Sequence, residues 1–329
     1  MKTNDRSVLH EQLPLKFPYL VQIFPCYACN FRCRYCLHSL PPEEHGDISS
    51  VRFLPLETYR KFIDSIADEG GVLKMLRFAG IGEPLLHPEI AEMVAYAQER
   101  RVAKTVDIVT NAAALTPKLS ENLIKAGLST LRVSIEGLST EEYRENTGTA
   151  FPFEKIVSNI RFFYEHAKKT KVYVKIIDYM LDAPEKEQKF HMIFDSISHV
   201  TAVEHLTPTI KEIDYSAFSG NVDFLLTQDG EDKQNISVCP QPFYMLQLNP
   251  DGSFAPCCSM KLPMKLYKKG EGFARIWNGT ELTEFRLALL EHKKNDTCRE
   301  CALYQYGTYP QDVLDGFEEE LLPAYKRFE

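Results

Sequence analysis

The chain lacks the features that would tie it to a membrane, a secretion route or nucleic acid. No stretch approaches the roughly 18 consecutive apolar residues of a membrane span. Met1 to Lys16 is polar and has no apolar run of the signal-peptide kind. Lys and Arg are scattered rather than clustered, and the net charge is −8 over 329 residues, which argues against a dedicated nucleic-acid surface. There is no low-complexity segment and no repeat beyond an alternation of strands and helices. A cytoplasmic location is expected, where thiols stay reduced. Nine cysteines in such a chain point to metal before disulfides. Hydrophobic residues make up 44% of the chain, enough for one large domain or two with a sizeable core.

Three of the cysteines dominate the reading. Cys29, Cys33 and Cys36 stand at C-x3-C-x2-C spacing in Cys29-Asn30-Phe31-Arg32-Cys33-Arg34-Tyr35-Cys36, just after the apolar run Tyr19 to Phe24, which reads as a strand. Three thiolates on one short loop can hold three corners of a cubane iron–sulfur cluster and leave the fourth iron open. A zinc site or buried free thiols are the alternative readings. The motif resembles that of the radical S-adenosylmethionine (radical SAM) enzymes. In that family the open iron chelates the amino and carboxylate groups of SAM, and one electron cleaves SAM to a 5′-deoxyadenosyl radical. Tyr35 matches the family's aromatic position next to the last cysteine, near the adenine.

From residue 51 helix and strand signals alternate. Helices are expected from Leu54 to about Ala67, His87 to about Glu99, Pro117 to Ala126, Phe153 to Lys168 and Glu185 to Ser198. Strands are expected over Val72–Ala79, Ala103–Thr110, Thr130–Ile135, Val172–Ile177 and Ala202–Leu206; the fourth is apolar almost throughout, as in a buried parallel sheet. Such repetition gives an α/β fold with a parallel sheet. With the resemblance, the implied architecture is a partial (β/α)6 radical SAM barrel over residues 17–208, after an N-terminal extension at 1–16. Residues 209–238 read as a linker or a substrate-covering excursion, or equally as a solvated loop.

A second cysteine set follows: Cys239, Cys257 with Cys258, Cys298 and Cys301. Between the first two, Tyr244 to Phe254 carries Asp251-Gly252 between two apolar runs, a β-hairpin signal. Ile276-Trp277-Asn278-Gly279-Thr280 leads into an amphipathic helix, Glu281 to Glu291. This order resembles the small α+β SPASM or twitch domain of radical SAM enzymes, here residues 239–305, with a C-terminal helix in 306–329. By that resemblance Cys239, Cys257, Cys298 and Cys301 ligate one auxiliary [4Fe–4S] cluster. Structural zinc is the alternative for this set as well.

The resemblance also supplies a SAM pocket. Gly80-Ile81-Gly82-Glu83-Pro84 is similar to the family's GGEP motif, which binds the SAM ammonium through backbone carbonyls; Ile81 departs from the commonest form. The small residues Gly80 and Gly82 are expected to let the backbone approach the ligand, with Glu83 and Pro84 completing the turn. Asn111, Ser134 and Glu136 end strands at the mouth of the barrel. They are expected to contact the SAM ribose and carboxylate, or else to cap local loops. Arg144 matches a position where an Arg meets the SAM carboxylate, or is a surface residue. Cys26 reads as a buried thiol. Cys258 is a spare thiol or a catalytic hydrogen-atom donor.

The expected cofactors are two [4Fe–4S] clusters and SAM. The expected activity is hydrogen abstraction from a small, carbohydrate-like substrate with net oxidation, as in the aminocyclitol alcohol dehydrogenases, whose auxiliary cysteine spacing this chain approximates. Only about 18 residues precede the first strand, which leans away from a peptide-recognition domain without excluding a peptide substrate. A redox-neutral epimerase, a peptide-modifying enzyme and a non-catalytic metal-binding scaffold are the alternatives. A flavodoxin- or ferredoxin-type protein is the expected electron donor.

Overall fold

A computed structural model describes residues 6–46, 48–218, 224–259 and 272–327. Twelve elements alternate along the first part of the chain: β1 (Leu20–Ile23), α1 (Leu56–Asp68), β2 (Leu73–Phe78), α2 (Ile90–Arg100), β3 (Ala103–Thr110), α3 (Pro117–Lys125), β4 (Thr130–Ile135), α4 (Thr140–Thr147), α5 (Phe153–His166), β5 (Lys171–Ile177), α6 (Pro184–Phe194) and β6 (Val200–Glu204). The six strands pair parallel in the order β6-β5-β4-β3-β2-β1. The expected partial (β/α)6 architecture is therefore present.

The period of two along each strand sorts side chains between two environments. Val21, Ile23, Leu76, Phe78, Val106, Ile108, Leu131 and Val133 are fully or nearly fully buried toward the helices. The intervening residues form a polar row across the other face. Gln22 lies opposite Arg77, and Arg77 opposite Asp107. Arg132 donates from Nε to Asp107 Oδ2 at 3.1 Å, and Arg77 stands 3.8 Å from the same oxygen. The strand at 171–177 follows this alternation too. Val172, Val174 and Ile176 are buried, whereas Tyr173 and Lys175 face the barrel interior, so it is not the wholly buried strand its composition suggested.

The second part comprises α7 (Gln241–Tyr244), β7 (Met245–Leu248), β8 (Phe254–Ala255), α8 (Phe273–Trp277), α9 (Thr280–Leu290), α10 (Asp296–Glu300), α11 (Leu303–Gly307) and α12 (Glu318–Lys326). The expected hairpin forms around Asp251-Gly252, with Gly252 at φ 81°, the left-handed value that glycine tolerates. The hairpin does not stand apart from the barrel. β7 pairs parallel with β1, Leu20 opposite Met245 and Ile23 opposite Leu248, and extends the sheet to eight strands.

Both terminal segments are packed against the rest. In the helix of the C-terminal tail Leu321 and Tyr325 are buried, and Tyr325 packs edge-on against Phe243 at 5.5 Å. The N-terminal segment is tied down by the Leu9 amide, which donates to Gln311 O at 2.8 Å, and by the Arg6–Asp312 ion pair. Trp277 donates to Leu15 O at 2.9 Å. Beneath it the buried Arg286 stacks on the Trp277 ring at 4.0 Å and donates to Pro242 O and Trp277 O, both at 2.8 Å.

Because β7 covers one side of β1, residues 1–238 expressed alone would leave β1 as an unpaired edge strand of the remaining sheet. That fragment is expected to be insoluble or aggregated by size-exclusion chromatography. A soluble monomeric fragment would show the β1–β7 pairing to be dispensable.

Candidate active site

The loop leaving β1 is held from three sides. Phe24 N–H donates to Leu248 O at 2.9 Å, which fixes its start against β7. The C-terminal end of α4 fixes its middle: Arg32 and Arg34 donate from their amides to Thr147 O and Asn146 O, both at 2.9 Å. Phe31 is buried edge-on against Tyr143 and Phe151 at 5.8 and 5.9 Å. Helix α4 is not among the expected helices, although its signal is in the chain. Ser139 Oγ accepts from Glu142 N–H at 3.2 Å, and Glu142 reaches back to Leu138 N–H, a capping-box pattern.

The third hold is Glu83, 3% exposed. Its Oε1 accepts from Leu85 N–H at 2.9 Å and Thr110 Oγ1 at 2.6 Å, and its Oε2 accepts from Asn111 N–H at 2.8 Å. Its own amide donates to Ala28 O at 2.8 Å, and its carbonyl accepts from Cys26 Sγ at 3.1 Å. Burial raises the Glu83 carboxyl above its ordinary range, against the opposing hydrogen bonds from Asn111, Thr110 and Leu85. Cys26 is the buried thiol expected, and burial pushes it up to about 12.

The turn at 80–84 comes close to protein, not only to a ligand. A Cβ at Gly82 would overlap the carbonyl oxygen of Cys26, and one at Gly80, where φ is 125°, would overlap the Phe24 ring. The two glycines are thus required for the cluster loop to lie on the turn.

Cys29, Cys33 and Cys36 are half-buried free thiols within electrostatic reach of one another. Burial pushes Cys29 up to about 12 and raises Cys33 and Cys36, so these thiols keep their protons until a metal displaces them. Among the described residues no three His, Cys, Asp or Glu side chains stand close enough to share a single metal ion. Three soft thiol donors on one loop, with no nitrogen or oxygen ligand completing a set, fit an iron–sulfur cubane with one open iron.

Tyr35 donates to Glu136 Oε1 at 2.8 Å, and the buried Glu136 carboxyl also stands beside the Cys33 thiol. Burial raises the Glu136 carboxyl, against Tyr35, Lys175 and Cys33. A buried carboxyl whose Oε2 has no hydrogen-bond partner apart from that thiol can accept from a ligand hydroxyl. Tyr35 and Glu136 line a cavity of about 270 Å³ with Ser134, Lys175, His205 and Thr209. Asn111 takes the local-capping alternative. Its Nδ2 donates to Asn30 at 2.9 Å and its Oδ1 accepts from Ala113 N–H at 3.0 Å, so it ties β3 to the cluster loop and caps its own turn. Arg144 is not brought to the mouth. Helix α4 buries Tyr143, Asn146 and Thr147, which leaves Arg144 exposed and lining none of the cavities described here.

The second cysteine set divides in two. Cys239, Cys257, Cys298 and Cys301 line one cavity, walled by Pro242, Phe285 and Leu289. The Asn295 side chain accepts from Cys298 N–H at 2.8 Å and so caps the start of α10. Cys258 does not line that cavity, although it stays within electrostatic reach of Cys239, Cys257 and Cys301. It lines a larger cavity, about 360 Å³, with Cys36, Gly80 and Ile81, and its Sγ lies 3.6 Å from Gln241 Oε1.

The family profile described as the radical SAM superfamily matches residues 23–194, and that of the SPASM iron–sulfur cluster-binding domain matches residues 239–302. The chain belongs to the radical SAM superfamily. The radical SAM domain implies a [4Fe–4S] cluster and SAM, and the SPASM domain implies auxiliary iron–sulfur ligation. The dTDP-4-amino-4,6-dideoxy-D-glucose ammonia-lyase of Streptomyces venezuelae is 31% identical over 168 residues, 49% of this chain and 32% of that protein. A GTP 3′,8-cyclase of Chlorobaculum tepidum is 37% identical over 127 residues, 39% of this chain and 36% of the cyclase. The chain thus spans about a third of the length of these curated relatives. Native anSMEcpe with bound AdoMet superposes with a TM-score of 0.61 at 16% identity, covering 94% of this chain and 98% of that one. BtrN in complex with AdoMet and 2-DOIA superposes at 0.57 and 16% identity, covering 90% and 98%. At these identities the two structures speak for the fold. No helix among the described residues is long and apolar enough to cross a membrane.

The close approach at Gly82 gives an expectation for this radical SAM chain. Gly82→Val should displace the cluster loop and lose the iron of the first site, about four atoms per chain, rather than only weaken SAM binding. Iron analysis after anaerobic reconstitution checks this. Full iron content with weakened SAM binding would return the turn to a purely ligand-facing role.

Proposed function

We propose that the chain oxidises a small, hydroxylated, carbohydrate-like substrate seated in the cavity of about 360 Å³ between the two cysteine sets. The observation that carries this reading is the division of the second set. Four thiols line one cavity and would ligate every iron of a cubane held there, while Cys301 borders the larger cavity as well. A fully protein-ligated cluster suits electron transfer better than Lewis-acid chemistry. When bound, the first cluster and SAM supply abstraction of a hydrogen atom from an unactivated carbon, and the auxiliary cluster supplies a one-electron acceptor.

The chain's residues do the positioning. Cys29, Cys33 and Cys36 hold the first cluster; Cys239, Cys257, Cys298 and Cys301 hold the second. The backbone of Gly80 to Pro84, anchored through the Glu83 side chain, would take the SAM ammonium. Glu136 Oε2 and Ser134 take the SAM ribose, beside Tyr35. The excursion at 209–238 walls the substrate cavity through Thr209, Ile210, Lys211 and Glu212, although 219–223 lie outside the described residues. Lys211 pairs with Glu300 of α10, joining that wall to the second cysteine set. A flavodoxin- or ferredoxin-type donor and a cytoplasmic location accompany this reading.

A second reading is favoured by Cys258, whose thiol lines the same cavity. Return of a hydrogen atom from that thiol to the substrate would make the reaction a redox-neutral epimerisation.

Two measurements separate these possibilities from each other and from a metal-binding scaffold. The Cys29→Ala, Cys33→Ala, Cys36→Ala variant should retain about four iron atoms of about eight and cleave no SAM. Zinc in the remaining site would overturn the auxiliary assignment. The second measurement is turnover in deuterium oxide with a substrate that raises 5′-deoxyadenosine formation. Oxidation should give a product two mass units below substrate with no deuterium on carbon. An isomeric product with one carbon-bound deuterium, lost in Cys258→Ala, would replace oxidation by epimerisation.

A further inference from the structure

The two arginines of the cluster loop are used differently. Arg34 is engaged by the excursion, through Ala217 O at 3.1 Å and the Phe218 ring at 4.9 Å. Arg32, between Cys29 and Cys33, is exposed and makes no ion pair among the described residues. The chain comes back to this loop at residues 51–54. Cys26 bridges antiparallel to Phe53, Tyr27 N–H donates to Arg52 O at 3.0 Å, and Leu54 N–H donates to Pro25 O at 2.8 Å. That short ladder lays Val51, Arg52 and Phe53 beside the residues that lead straight into Cys29. All three are exposed, Val51 by 40% and Phe53 by 39%. Phe53 keeps an edge-on contact with the buried His87 ring at 5.7 Å, and His87 Nε2 lies 2.9 Å from Leu54 O, so the exposed ring is held in place. His38 links the two segments: it stands within electrostatic reach of Arg32 and beside the Tyr27 backbone, whose amide bonds Arg52.

Scattered apolar groups on a surface need no explanation, but two of them, with exposed cations beside them, form a patch at the edge of the loop that carries the first thiols. The acidic groups described on this connection are Glu43 and Glu44, on the turn Pro42–Glu44. The chain as a whole carries a net charge of −8. Exposed cations on an acidic molecule orient an acidic partner and set its rate of encounter more than its affinity.

We propose that Arg32, Arg52 and the exposed Phe53 form the docking surface of an acidic flavodoxin that delivers an electron to the first cysteine set. This rests on the reading above, which includes a donor of that class. The flavin's anionic hydroquinone gives up one electron and becomes the neutral semiquinone, with no proton released. The same electron reduces the oxidised cluster held by Cys29, Cys33 and Cys36 by one. The exposed phenyl and isopropyl groups suit the apolar, planar dimethylbenzene edge of a flavin, while Arg32 and Arg52 meet carboxylates around it. Rim contacts of this kind are individually weak, which suits a partner that leaves after each electron.

Binding tests this without turnover. The reconstituted holoenzyme is immobilised and oxidised bacterial flavodoxin is passed over it at low and at high KCl. Arg52→Glu, which lies off the cysteine loop, should weaken binding about tenfold at low salt and flatten its salt dependence. Arg32→Glu should do the same, and Arg32→Gln should do so less. Arg275→Glu, on the exposed side of α8, changes the net charge equally and should leave binding unchanged. Unaltered affinity in both Arg52→Glu and Arg32→Glu, or an equal loss in Arg275→Glu, overturns the surface. The second measurement is 5′-deoxyadenosine formation driven either by dithionite or by flavodoxin with its NADPH-dependent reductase. Arg52→Glu and Phe53→Ser should keep their iron and their dithionite-driven rate, and lose about tenfold with flavodoxin. Equal losses with both reductants would mark a disturbed cluster loop and overturn docking. Wild-type enzyme driven by dithionite or by a ferredoxin but not by flavodoxin removes flavodoxin as the partner. Wild-type enzyme that cleaves no SAM with any reductant removes the proposed function itself.

Discussion

A single buried carboxylate sets the terms for the centre of this molecule. Taking Glu83 out of water without partners would cost several kcal/mol, and its raised protonation range records that burial. The cost is offset because both carboxylate oxygens and the backbone are engaged: Leu85, Thr110 and Asn111 donate to the side chain, while the backbone of the same residue bonds Ala28 and Cys26. Three loops from three strands are thereby locked to one another. They are the loop that carries the thiols, the turn after β2 and the end of β3. A loop carrying three thiols has no intrinsic shape of its own. Its shape comes from this carboxylate below, from the carbonyls of α4 beside it, and from Leu248 on the hairpin.

The last of these matters for the relation between the two cysteine sets. Because β1 is paired on one side with β2 and on the other with β7, the strand that launches the first set lies next to the strand that precedes Cys257. The two sets belong to one sheet rather than to two bodies joined by a linker. Side chains on β7 continue the polar row of the barrel interior: Gln247 lies opposite Gln22, which lies opposite Arg77, which lies opposite Asp107. Buried charges in such a row are tolerable only when paired, and Asp107 is shared by two arginines. Slippage of β7 by one residue would turn Gln247 away and bring an apolar side chain into the row, so the pairing register of the second domain is specified by the first.

Much of this is legible in the chain. Spacing alone isolates Cys29, Cys33 and Cys36, and period-two and period-3.6 patterns locate the strands of the barrel, because those signals are local. The misses have physical causes. Helix α4 is short and polar, with a Ser139-to-Glu142 cap as its clearest mark, and without it Arg144 reads as a residue of the mouth when Tyr143, Asn146 and Thr147 are the ones facing inward. Asn111 reads equally as a ligand contact or a local cap, and its polar groups are engaged by Asn30 and Ala113. The pairing of β1 with β7 joins residues more than two hundred positions apart, and no local pattern encodes it. The close approach of Gly82 to Cys26 is tertiary in the same way, since glycine announces closeness without naming the neighbour.

The excursion after β6 shows how such adjacency turns sequence neighbours into site geometry. Arg34, between two of the thiols, donates to Ala217 O at 3.1 Å and lies 4.9 Å from the centre of the Phe218 ring, which in turn packs edge-on against Tyr179 at 4.8 Å. Tyr179 meets Tyr35 at 6.2 Å. The segment that walls the larger cavity is thus anchored on the loop that carries the first thiols, while its Lys211 reaches α10 of the second set. An exposed ion pair of that kind contributes little by itself. The cation–π and ring contacts are partly withdrawn from water and hold better. The cavity wall is thus tied more firmly to the loop of the first cysteine set than to the second.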